Sequence, residues 1–283
     1  MQECNVCFRH CRIEEGKLGF CGARMCAGGE VTAANYGRIT SAALDPVEKK
    51  PLRRFEPGKK VFSIGSYGCN LRCPFCQNYE ISWSERAGRY AKEAEYVSPE
   101  EIVKIALDLQ ARGNIGIAFT YNEPLIGWEY VRDTAKLAKE KGLKNILVTN
   151  GTAGSDVLKE ILPYIDAMNI DLKAFTDRFY RELIRGDFDM VKEFIQTAVK
   201  SCHVELTTLV IPGENDTVEE MRELSGWIAG LSGRVPGKQI PLHVTRFFPQ
   251  FHMTDRDATP VETVYRLADA ARERLEFVYE GNV

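Results

Sequence analysis

The segment Cys69–Cys76, with the sequence CNLRCPFC, constrains this chain more than any other feature. It offers the thiols of Cys69, Cys73 and Cys76 at C-x3-C-x2-C spacing, with no fourth cysteine in the run. Three thiolates on a four-iron cluster leave one iron without a protein ligand, and an open metal position is where chemistry takes place. The spacing therefore predicts a catalytic iron–sulfur cluster. A zinc or storage site, or three thiols in the core, are the alternatives.

The composition indicates a globular protein in a reducing compartment. The chain has 283 residues, of which 44% are hydrophobic and 27% charged, enough for one large barrel or two modest domains. Its formal charge of -3 gives no basic surface, so we expect no nucleic-acid partner. The start of the chain lacks a signal-peptide pattern and no apolar run is long enough to span a bilayer, so we expect a cytoplasmic protein with no membrane partner. Nine cysteines then indicate metal binding, not disulfides.

Short apolar runs alternate with longer amphipathic segments from residue 60 onward. The runs predicted to be strands are 60–66, 115–120, 145–149, 167–172, 204–211 and 239–247. The segments predicted to be helices are 99–112, 128–141, 155–165, 189–201, 218–231 and 259–275. S/T-x-x-E capping motifs at Ser98, Thr217 and Thr259 mark helix starts. This alternation is typical of parallel βαβ units.

Six strand–helix pairs are too few for a complete eight-stranded barrel. They fit a partial (β/α)6 TIM-like barrel or an open, doubly wound sheet. Polar motifs follow almost every strand, at the edge where barrel active sites gather, and this favours the partial barrel. We therefore predict an α/β protein with a Cys-rich, metal-binding N-terminal module over residues 1–58 and a partial barrel over residues 59–283.

A second set of cysteines lies near the start of the chain. Its members are Cys4, Cys7, Cys11 and Cys21, with Cys26 left over. Four thiols suffice for a closed tetrahedral site, so structural zinc, an auxiliary iron–sulfur cluster and metal-free or redox-active thiols all stay open. A segment with so little apolar content needs a bound metal to stabilise it, or must pack against the barrel.

The cysteine loop resembles the signature of the radical S-adenosylmethionine (SAM) superfamily. The whole chain resembles its pyruvate formate-lyase-activating-enzyme-like branch and, more narrowly, the AmmeMemoRadiSam system radical SAM protein. The segments that carry the resemblance are 4–7, 19–22, 35–38, 44–52, 69–78, 120–124, 149–151, 169–173, 210–216 and 243–248. Members of the narrower group commonly continue beyond residues 281–283, so we expect a short or truncated member.

The resemblance implies a [4Fe-4S] cluster whose open iron chelates SAM. An electron from a low-potential donor of the flavodoxin or ferredoxin type would cleave SAM reductively. The resulting 5'-deoxyadenosyl radical would abstract hydrogen from an unknown substrate, either a small molecule or a protein. The residues implied to contact SAM are Phe75, Gln77, Asn122, Asp171, Leu172, Lys173 and His243.

Polar residues at the strand ends suit this ligand. Glu123 could accept a hydrogen bond from the SAM ammonium group, although Asn122-Glu123 replaces the double glycine usual at this place. Asp171 and Lys173 face the same side of a strand and could bind ribose hydroxyls or the carboxylate. Further predicted contacts are Asn150, Arg246, and Ile211 as a wall for the adenine. The alternatives are a turn at residues 122–124 and an ion pair at residues 171 and 173 that only supports the fold.

Two other functions are open at this point. The chain could be an activase that abstracts hydrogen from a backbone glycine of a partner enzyme. It could also be a non-enzymatic electron carrier, but a carrier does not need polar motifs on five further strands. The leading hypothesis is a radical SAM oxidoreductase with an unknown substrate.

Overall fold

The computed structural model describes the backbone of residues 1–283 and the side chains of all of them except residues 90 and 92. The strands are β1 Gln2–Glu3, β2 Arg12–Ile13, β3 Arg24–Ala27, β4 Glu30–Ala33, β5 Arg38–Ile39, β6 Ser41–Pro46, β7 Lys60–Gly65, β8 Glu95–Tyr96, β9 Asn114–Phe119, β10 Lys144–Thr149, β11 Ala167–Asp171, β12 His203–Val210, β13 Leu242–Arg246 and β14 Val278–Gly281. The helices are α1 Tyr79–Ser82, α2 Ala87–Glu93, α3 Pro99–Asp108, α4 Trp128–Glu140, α5 Ser155–Ile161, α6 Phe188–Ala198, α7 Val218–Ala229 and α8 Val261–Arg272. Short 3-10 turns lie at Val47–Lys49, Leu109–Arg112, Pro124–Gly127, Leu162–Tyr164 and Gly237–Gln239, and a π-helical turn at Phe179–Leu183.

The centre of the molecule is one open sheet in the order β14-β13-β12-β11-β10-β9-β7-β6. The neighbouring pairs from β7 to β14 are parallel, and β6 pairs antiparallel with β7. Helices α3 to α8 connect or follow the parallel strands, as βαβ units require. Each predicted strand is present, which confirms the partial barrel. The sequence analysis missed β6 and β14 at the two ends of the sheet.

Successive residues of each strand contribute to two separate cores. Phe62, Leu147 and Met168 face the helices and belong to the large core. Their chain neighbours Val61, Ile146 and Ala167 lie on the opposite face. There they form a smaller core with Val47, Leu52 and Ala118. Since Val47 and Leu52 come from the connection between β6 and β7, that connection fills the amino end of the concave face.

The N-terminal boundary needs correction. Strand β6 lies before residue 58, yet it pairs along its whole length with β7, from Ser41 opposite Gly65 to Pro46 opposite Lys60. The barrel sheet therefore begins near residue 41, and the predicted boundary at residue 58 is too late. Before this point, β1 pairs with β2 and β3 pairs with β4 in small antiparallel ladders.

Two of the three predicted helix caps form. Ser98 and Glu101 make the reciprocal capping box at the start of α3, and the Thr217 side chain accepts a hydrogen bond from the N–H of Glu220. The prediction at Thr259 is wrong, because its hydroxyl donates to the carbonyl of Val210 instead. Among the described residues, no helix combines the length and apolar character needed to cross a bilayer.

Candidate active site

The cysteine loop begins directly after β7, at the carboxyl end of the parallel strands. Burial raises the pKa of the Cys69, Cys73 and Cys76 thiols, that of Cys73 to about 12. At Cys69, the charge of Glu123 and the thiols of Cys73 and Cys76 add to this rise of the pKa. Such thiols stay protonated at neutral pH unless a metal centre displaces the proton. The donor set therefore fits an iron–sulfur cluster held by three thiolates.

Asn122 and Glu123 brace the segments around this loop: Asn122 bonds to the residues just before it, and Glu123 bonds to its own turn and to the end of β10. The Asn122 amide accepts from the N–H of Ser66 at 3.0 Å and donates to the carbonyls of Tyr67 and Gly68 at 3.2 and 3.1 Å. The Glu123 carboxylate accepts from the backbone N–H groups of Leu125 and Asn150, and from the Thr149 hydroxyl, at 2.8–3.0 Å. Burial raises the Glu123 pKa to about 7, against these hydrogen bonds, which lower it. Both side chains thus brace loops, and neither is left without partners.

Asn150 connects the end of β10 to the cysteine loop. Its side-chain nitrogen lies 3.8 Å from the Cys69 sulfur and donates to Asn70 Oδ1 at 2.9 Å. Asn70 in turn donates to the Thr152 hydroxyl at 2.8 Å. Asn150 therefore lies against Cys69 and Asn70, and its predicted contact with SAM stays a prediction.

Asp171 and Lys173 form an ion pair beside the same loop. Lys173 Nζ lies 2.8 Å from Asp171 Oδ2, and both side chains keep partial exposure. Burial alone would lower the Lys173 pKa, but the charge of Asp171 and its hydrogen bond with Lys173 raise that pKa above its ordinary value, so the ammonium form persists. Lys173 also lowers the pKa of Cys73 and Cys76. A fixed ion pair thus stands at the carboxyl end of β11, the same edge of the sheet at which the cysteine loop follows β7.

His243 shares a row of the sheet with Asp171. Thr207 pairs with Asp171 on one side and with His243 on the other, so the three side chains point to the same face. His243 Nε2 lies 2.7 Å from the carboxylate of Glu205, which is fully buried. The same carboxylate accepts from the backbone N–H groups of Arg53 and Arg54 at 2.9 and 2.7 Å.

Glu205 was missed by the sequence analysis. A charged residue in the apolar run Val204–Ile211 was the signal that could have revealed it. His203 Nε2 also lies 2.9 Å from it. Burial alone would raise the Glu205 pKa, but the hydrogen bonds from both histidines and both backbone N–H groups lower it to about 2. Glu205 is therefore an anion that orients His243.

The other residues predicted to contact SAM lie in different surroundings. Leu172 and Ile211 are fully buried in the large core, so only their backbone groups could meet a ligand. Phe75 is buried against Phe179, with ring centroids 6.3 Å apart. Arg246 Nε donates to the carbonyl of Thr259 at 2.7 Å. Gln77 is exposed, next to the last cysteine.

A second polar group on the concave face was also missed. Tyr121 has a positive φ of 73°, and its hydroxyl donates to Asp45 at 2.9 Å. Lys50 is buried, pairs with the same carboxylate at 2.9 Å and lies 4.7 Å from the centre of the Tyr121 ring. A Cβ on Gly65 would lie 2.8 Å from that ring, so only glycine leaves room for the Tyr121 ring at this position. The Asp45–Leu52 segment thus contributes charged groups next to the sheet.

The N-terminal cysteines come together. Cys4, Cys7, Cys11 and Cys21 line one small cavity, and all four are free thiols. Asn70, from the cysteine loop, lines it as well. Among the side chains that the structure describes, no three His, Cys, Asp or Glu residues converge closely enough to hold a single metal ion.

Comparisons with known proteins agree with this geometry. Residues 63–225 match the Radical SAM superfamily. An uncharacterized protein of Methanocaldococcus jannaschii is 39% identical over 282 residues, which cover 99% of this chain and 81% of that protein. The pyruvate formate-lyase-activating enzyme of Clostridium pasteurianum is 28% identical over 222 residues, covering 74% and 89% of the two chains.

A solved structure shows the same fold. QueE from Escherichia coli superposes with a TM-score of 0.53 at 12% identity, over 87% of this chain and 93% of that one. The family match extends over more than half of the chain and includes the cysteine loop, strands β9 to β12 and most of α7. The chain is an enzyme of the radical SAM superfamily and belongs to its pyruvate formate-lyase-activating-enzyme-like branch.

Proposed function

We propose that Cys69, Cys73 and Cys76 hold the [4Fe-4S] cluster of this enzyme, and that Asp171 and Lys173 bind SAM beside it. The observation that carries the proposal is the Asp171–Lys173 ion pair at the carboxyl end of β11, the same edge of the sheet at which the cysteine loop follows β7. When bound, the cluster and SAM supply reductive cleavage of SAM and, through it, hydrogen abstraction from a substrate.

The charges at the site suit the polar groups of SAM. The Lys173 ammonium can donate to a carboxylate, and the Asp171 carboxylate can accept from an amine or a ribose hydroxyl. Asn150 contacts Cys69, Glu123 holds the backbone of Asn150, and Asn122 holds the residues just before Cys69. For Asn122 and Glu123 we therefore propose a positioning role, not the direct contact with SAM expected from the sequence.

The other predicted SAM contacts remain proposals with unequal support. His243 is favoured by its place in the row with Asp171 and by the carboxylate that orients it. Phe75, Gln77 and Arg246 lie on or after the strands that bear the site. For Leu172 and Ile211, the proposal is limited to backbone atoms because their side chains are buried.

The substrate is a separate question. We propose hydrogen abstraction from a small molecule or a protein, with an electron donor of the flavodoxin or ferredoxin type. The second candidate is activation of a glycyl-radical enzyme, which is favoured by similarity to the activating enzyme of Clostridium pasteurianum. Incubation with a candidate partner enzyme would separate them, because an activase produces a glycyl radical visible by electron paramagnetic resonance. Membership of the AmmeMemoRadiSam group and a cytoplasmic location stay predictions.

We also propose that Cys4, Cys7, Cys11 and Cys21 bind a metal centre. The support is their common cavity, in which Cys4, Cys7 and Cys21 are each less than a tenth exposed. Four thiols that share one cavity in a small module with little apolar core are typical of metal-stabilised folds.

The proposal for the radical SAM site is tested by the formation of 5'-deoxyadenosine. The protein is reconstituted with iron and sulfide without oxygen, then incubated with SAM and dithionite. We expect reductant-dependent product from the natural chain and from Cys202→Ala, which removes the isolated cysteine in the large core. Cys73→Ala should produce none. Product formation by Cys73→Ala at the natural rate would refute the assignment.

A further inference from the structure

We infer that Arg9 of the N-terminal module, together with Arg72 of the cysteine loop, makes the radical SAM cluster easier to reduce. The two arginines turn a peptide N–H toward Cys69 Sγ and add positive charge beside the loop. This inference rests on the cluster proposed above and gives the N-terminal module a part in the redox chemistry of the site. It does not depend on what the N-terminal cysteines bind.

Three successive carbonyl groups at the start of the cysteine loop accept hydrogen bonds from guanidinium groups. Arg72 Nη1 donates to the carbonyls of Cys69 and Leu71 at 2.8 and 2.7 Å. The carbonyl between them, that of Asn70, accepts a hydrogen bond from Arg9 Nε at 2.7 Å. Two cations therefore fix three successive peptide groups, and one of the cations comes from a segment 61 residues away in the chain.

The middle one of these peptide groups reaches the sulfur of Cys69. The carbonyl of Asn70 and the N–H of Leu71 belong to the same trans peptide group, so they point in opposite directions. The Leu71 N–H donates to Cys69 Sγ, with the nitrogen 3.4 Å from the sulfur. Because Arg9 holds the carbonyl end of this rigid group, it also holds the N–H end against the sulfur.

The positive charges of both guanidiniums are uncompensated by their hydrogen-bond partners. Both side chains are partly buried, and Arg9 also donates to the carbonyl of Arg185, and Arg72 to that of Phe20. Every hydrogen bond that the structure describes for the two groups thus ends on a neutral backbone oxygen. Partly buried charges are stabilised by a charge of opposite sign, and a cluster held by three thiolates supplies a negative one.

Phe20 brings the two cations together. The guanidinium carbons of Arg9 and Arg72 lie 3.5 and 3.8 Å from the centre of its ring. Two like charges at one ring repel each other, and their contacts with the ring offset this repulsion only in part. An anion beside them removes the conflict, and the cysteine loop becomes anionic once metal binding displaces its thiol protons.

These contacts determine the direction of the effect on the cluster. A cluster that accepts an electron carries one more negative charge in its reduced form. Hydrogen bonds to the cysteine sulfurs and nearby charges set the reduction potential of such clusters. The N–H at Cys69 Sγ and the two guanidiniums favour the reduced form. Loss of either arginine should therefore lower the potential and make the cluster harder to reduce.

Redox titration of the full chain, reconstituted with iron and sulfide without oxygen, tests the inference. Electron paramagnetic resonance follows the signal that changes when SAM is added, because that signal belongs to the cluster on the cysteine loop. At a fixed potential, Arg9→Gln should lower the ratio of reduced to oxidised cluster about tenfold, an effect expected for one hydrogen bond to a charged group. For a one-electron couple this ratio corresponds to a shift of about 59 mV. Metal analysis shows whether the variant holds the same metals as the natural chain.

Two control variants separate the effect of Arg9 from a loss of structure or of net charge. Arg9→Lys keeps a cation that can donate to the Asn70 carbonyl, so its potential should stay close to that of the natural chain. Arg12→Gln removes the same charge from an exposed side chain of the same module, in β2, and should leave the potential unchanged. If Arg9→Gln does not hold its iron, Arg72→Gln replaces it and should shift the potential in the same direction.

The outcomes distinguish this inference from the proposal on which it rests. If the natural chain gives no signal that responds to SAM, the proposed radical SAM site fails. If that signal is present and the iron-loaded Arg9→Gln, or Arg72→Gln in its place, keeps the natural potential, the inference is overturned. It is also overturned if Arg9→Lys or Arg12→Gln shifts the potential as much as Arg9→Gln does.

Discussion

The backbone N–H of Cys69 donates a hydrogen bond to the carbonyl oxygen of Cys21 at 3.2 Å. The first cysteine of the radical SAM loop is thus bound to the last cysteine of the N-terminal set. The contact makes the N-terminal module part of the wall of the active site. Substitutions in that module should therefore affect the cluster held by the cysteine loop, although the two regions are far apart in sequence.

Gly68 makes this close approach possible, so Gly68→Ala should disrupt it. Gly68 has a φ of +91°, and an added Cβ would lie 2.7 Å from the Cys21 oxygen. We expect the variant to lose about 2 kcal/mol or more of unfolding free energy and to bind less iron. Denaturant unfolding and iron analysis measure the two effects.

Gly226→Ala is the matched control for this substitution. Gly226 lies inside α7, and nothing stands within 4 Å of an added Cβ. Alanine there should leave stability equal or raise it by up to about 1 kcal/mol, because glycine weakens a helix interior. Equal stability of Gly68→Ala and the natural chain would contradict the tight contact.

Lys49 and Lys50 are neighbours that approach the same carboxylate from different environments. Lys50 is buried and lies 2.9 Å from Asp45, whereas the Lys49 side chain is 68% exposed and lies 3.5 Å from it. Lys50→Met should cost about 3 kcal/mol, since it leaves Asp45 partly buried without its closest cation. Lys49→Met should change stability little. Similar losses for both variants, in thermal or denaturant unfolding, would show that burial of the pair is unimportant.

Glu205 should make stability depend on pH in the acid range. Its pKa is about 2 in the folded protein, below the ordinary value of 4.5. A carboxyl with a lowered folded pKa adds stability above the unfolded value and loses it as the pH falls toward the folded one. The difference corresponds to about 3 kcal/mol, fully present at pH 7 and lost between about pH 4.5 and pH 2.

Glu205→Gln tests this through unfolding curves recorded from pH 7 down to pH 3. We expect the variant to have a much lower free energy of unfolding than the natural chain at pH 7. The difference should shrink in acid, because the natural chain then loses the stabilisation that ionised Glu205 provides. Glu273→Gln is the control, because that carboxylate pairs with Arg222 at the surface and should leave the pH profile unchanged. If the difference in unfolding free energy between Glu205→Gln and the natural chain stays constant from pH 7 to pH 3, titration of Glu205 is not its cause.

Lys173 should contribute to the affinity for SAM. Lys173→Met removes a charged donor next to the cluster ligands, and we expect SAM to bind about 10- to 100-fold more weakly. The concentration of SAM that changes the spectrum of the reduced cluster gives the affinity. Lys192→Met, which removes the surface ion pair with Asp189, should bind SAM normally. If Lys173→Met keeps its full iron content and binds SAM as tightly as the natural chain, Lys173 is not part of the SAM site.

The sequence predicted best those features that are local in the chain. The spacing of Cys69, Cys73 and Cys76, and the alternation of apolar runs with amphipathic segments, depend on near neighbours. Strand β6 was missed because Asp45 and Pro46 interrupt its apolar pattern, and its pairing with β7 bridges a connection of 13 residues, 47–59. Such pairing is decided by the tertiary fold.

The roles of single polar residues were harder to predict. Glu123 was expected to face SAM, but its carboxylate meets three donors from β10 and its own turn, partners that only the folded chain brings together. Glu205 and His243 are likewise 38 residues apart. A sequence pattern shows that a buried acid needs partners but not which ones it finds.

The most direct test of the account measures 5'-deoxyadenosine and methionine from SAM in the Cys69→Ala/Cys73→Ala/Cys76→Ala variant and the natural chain, both reconstituted and reduced. The account predicts equal amounts of the two products from the natural chain. It predicts neither product from the triple variant. Product formation by the triple variant would contradict the assignment of the three cysteines as the catalytic cluster ligands.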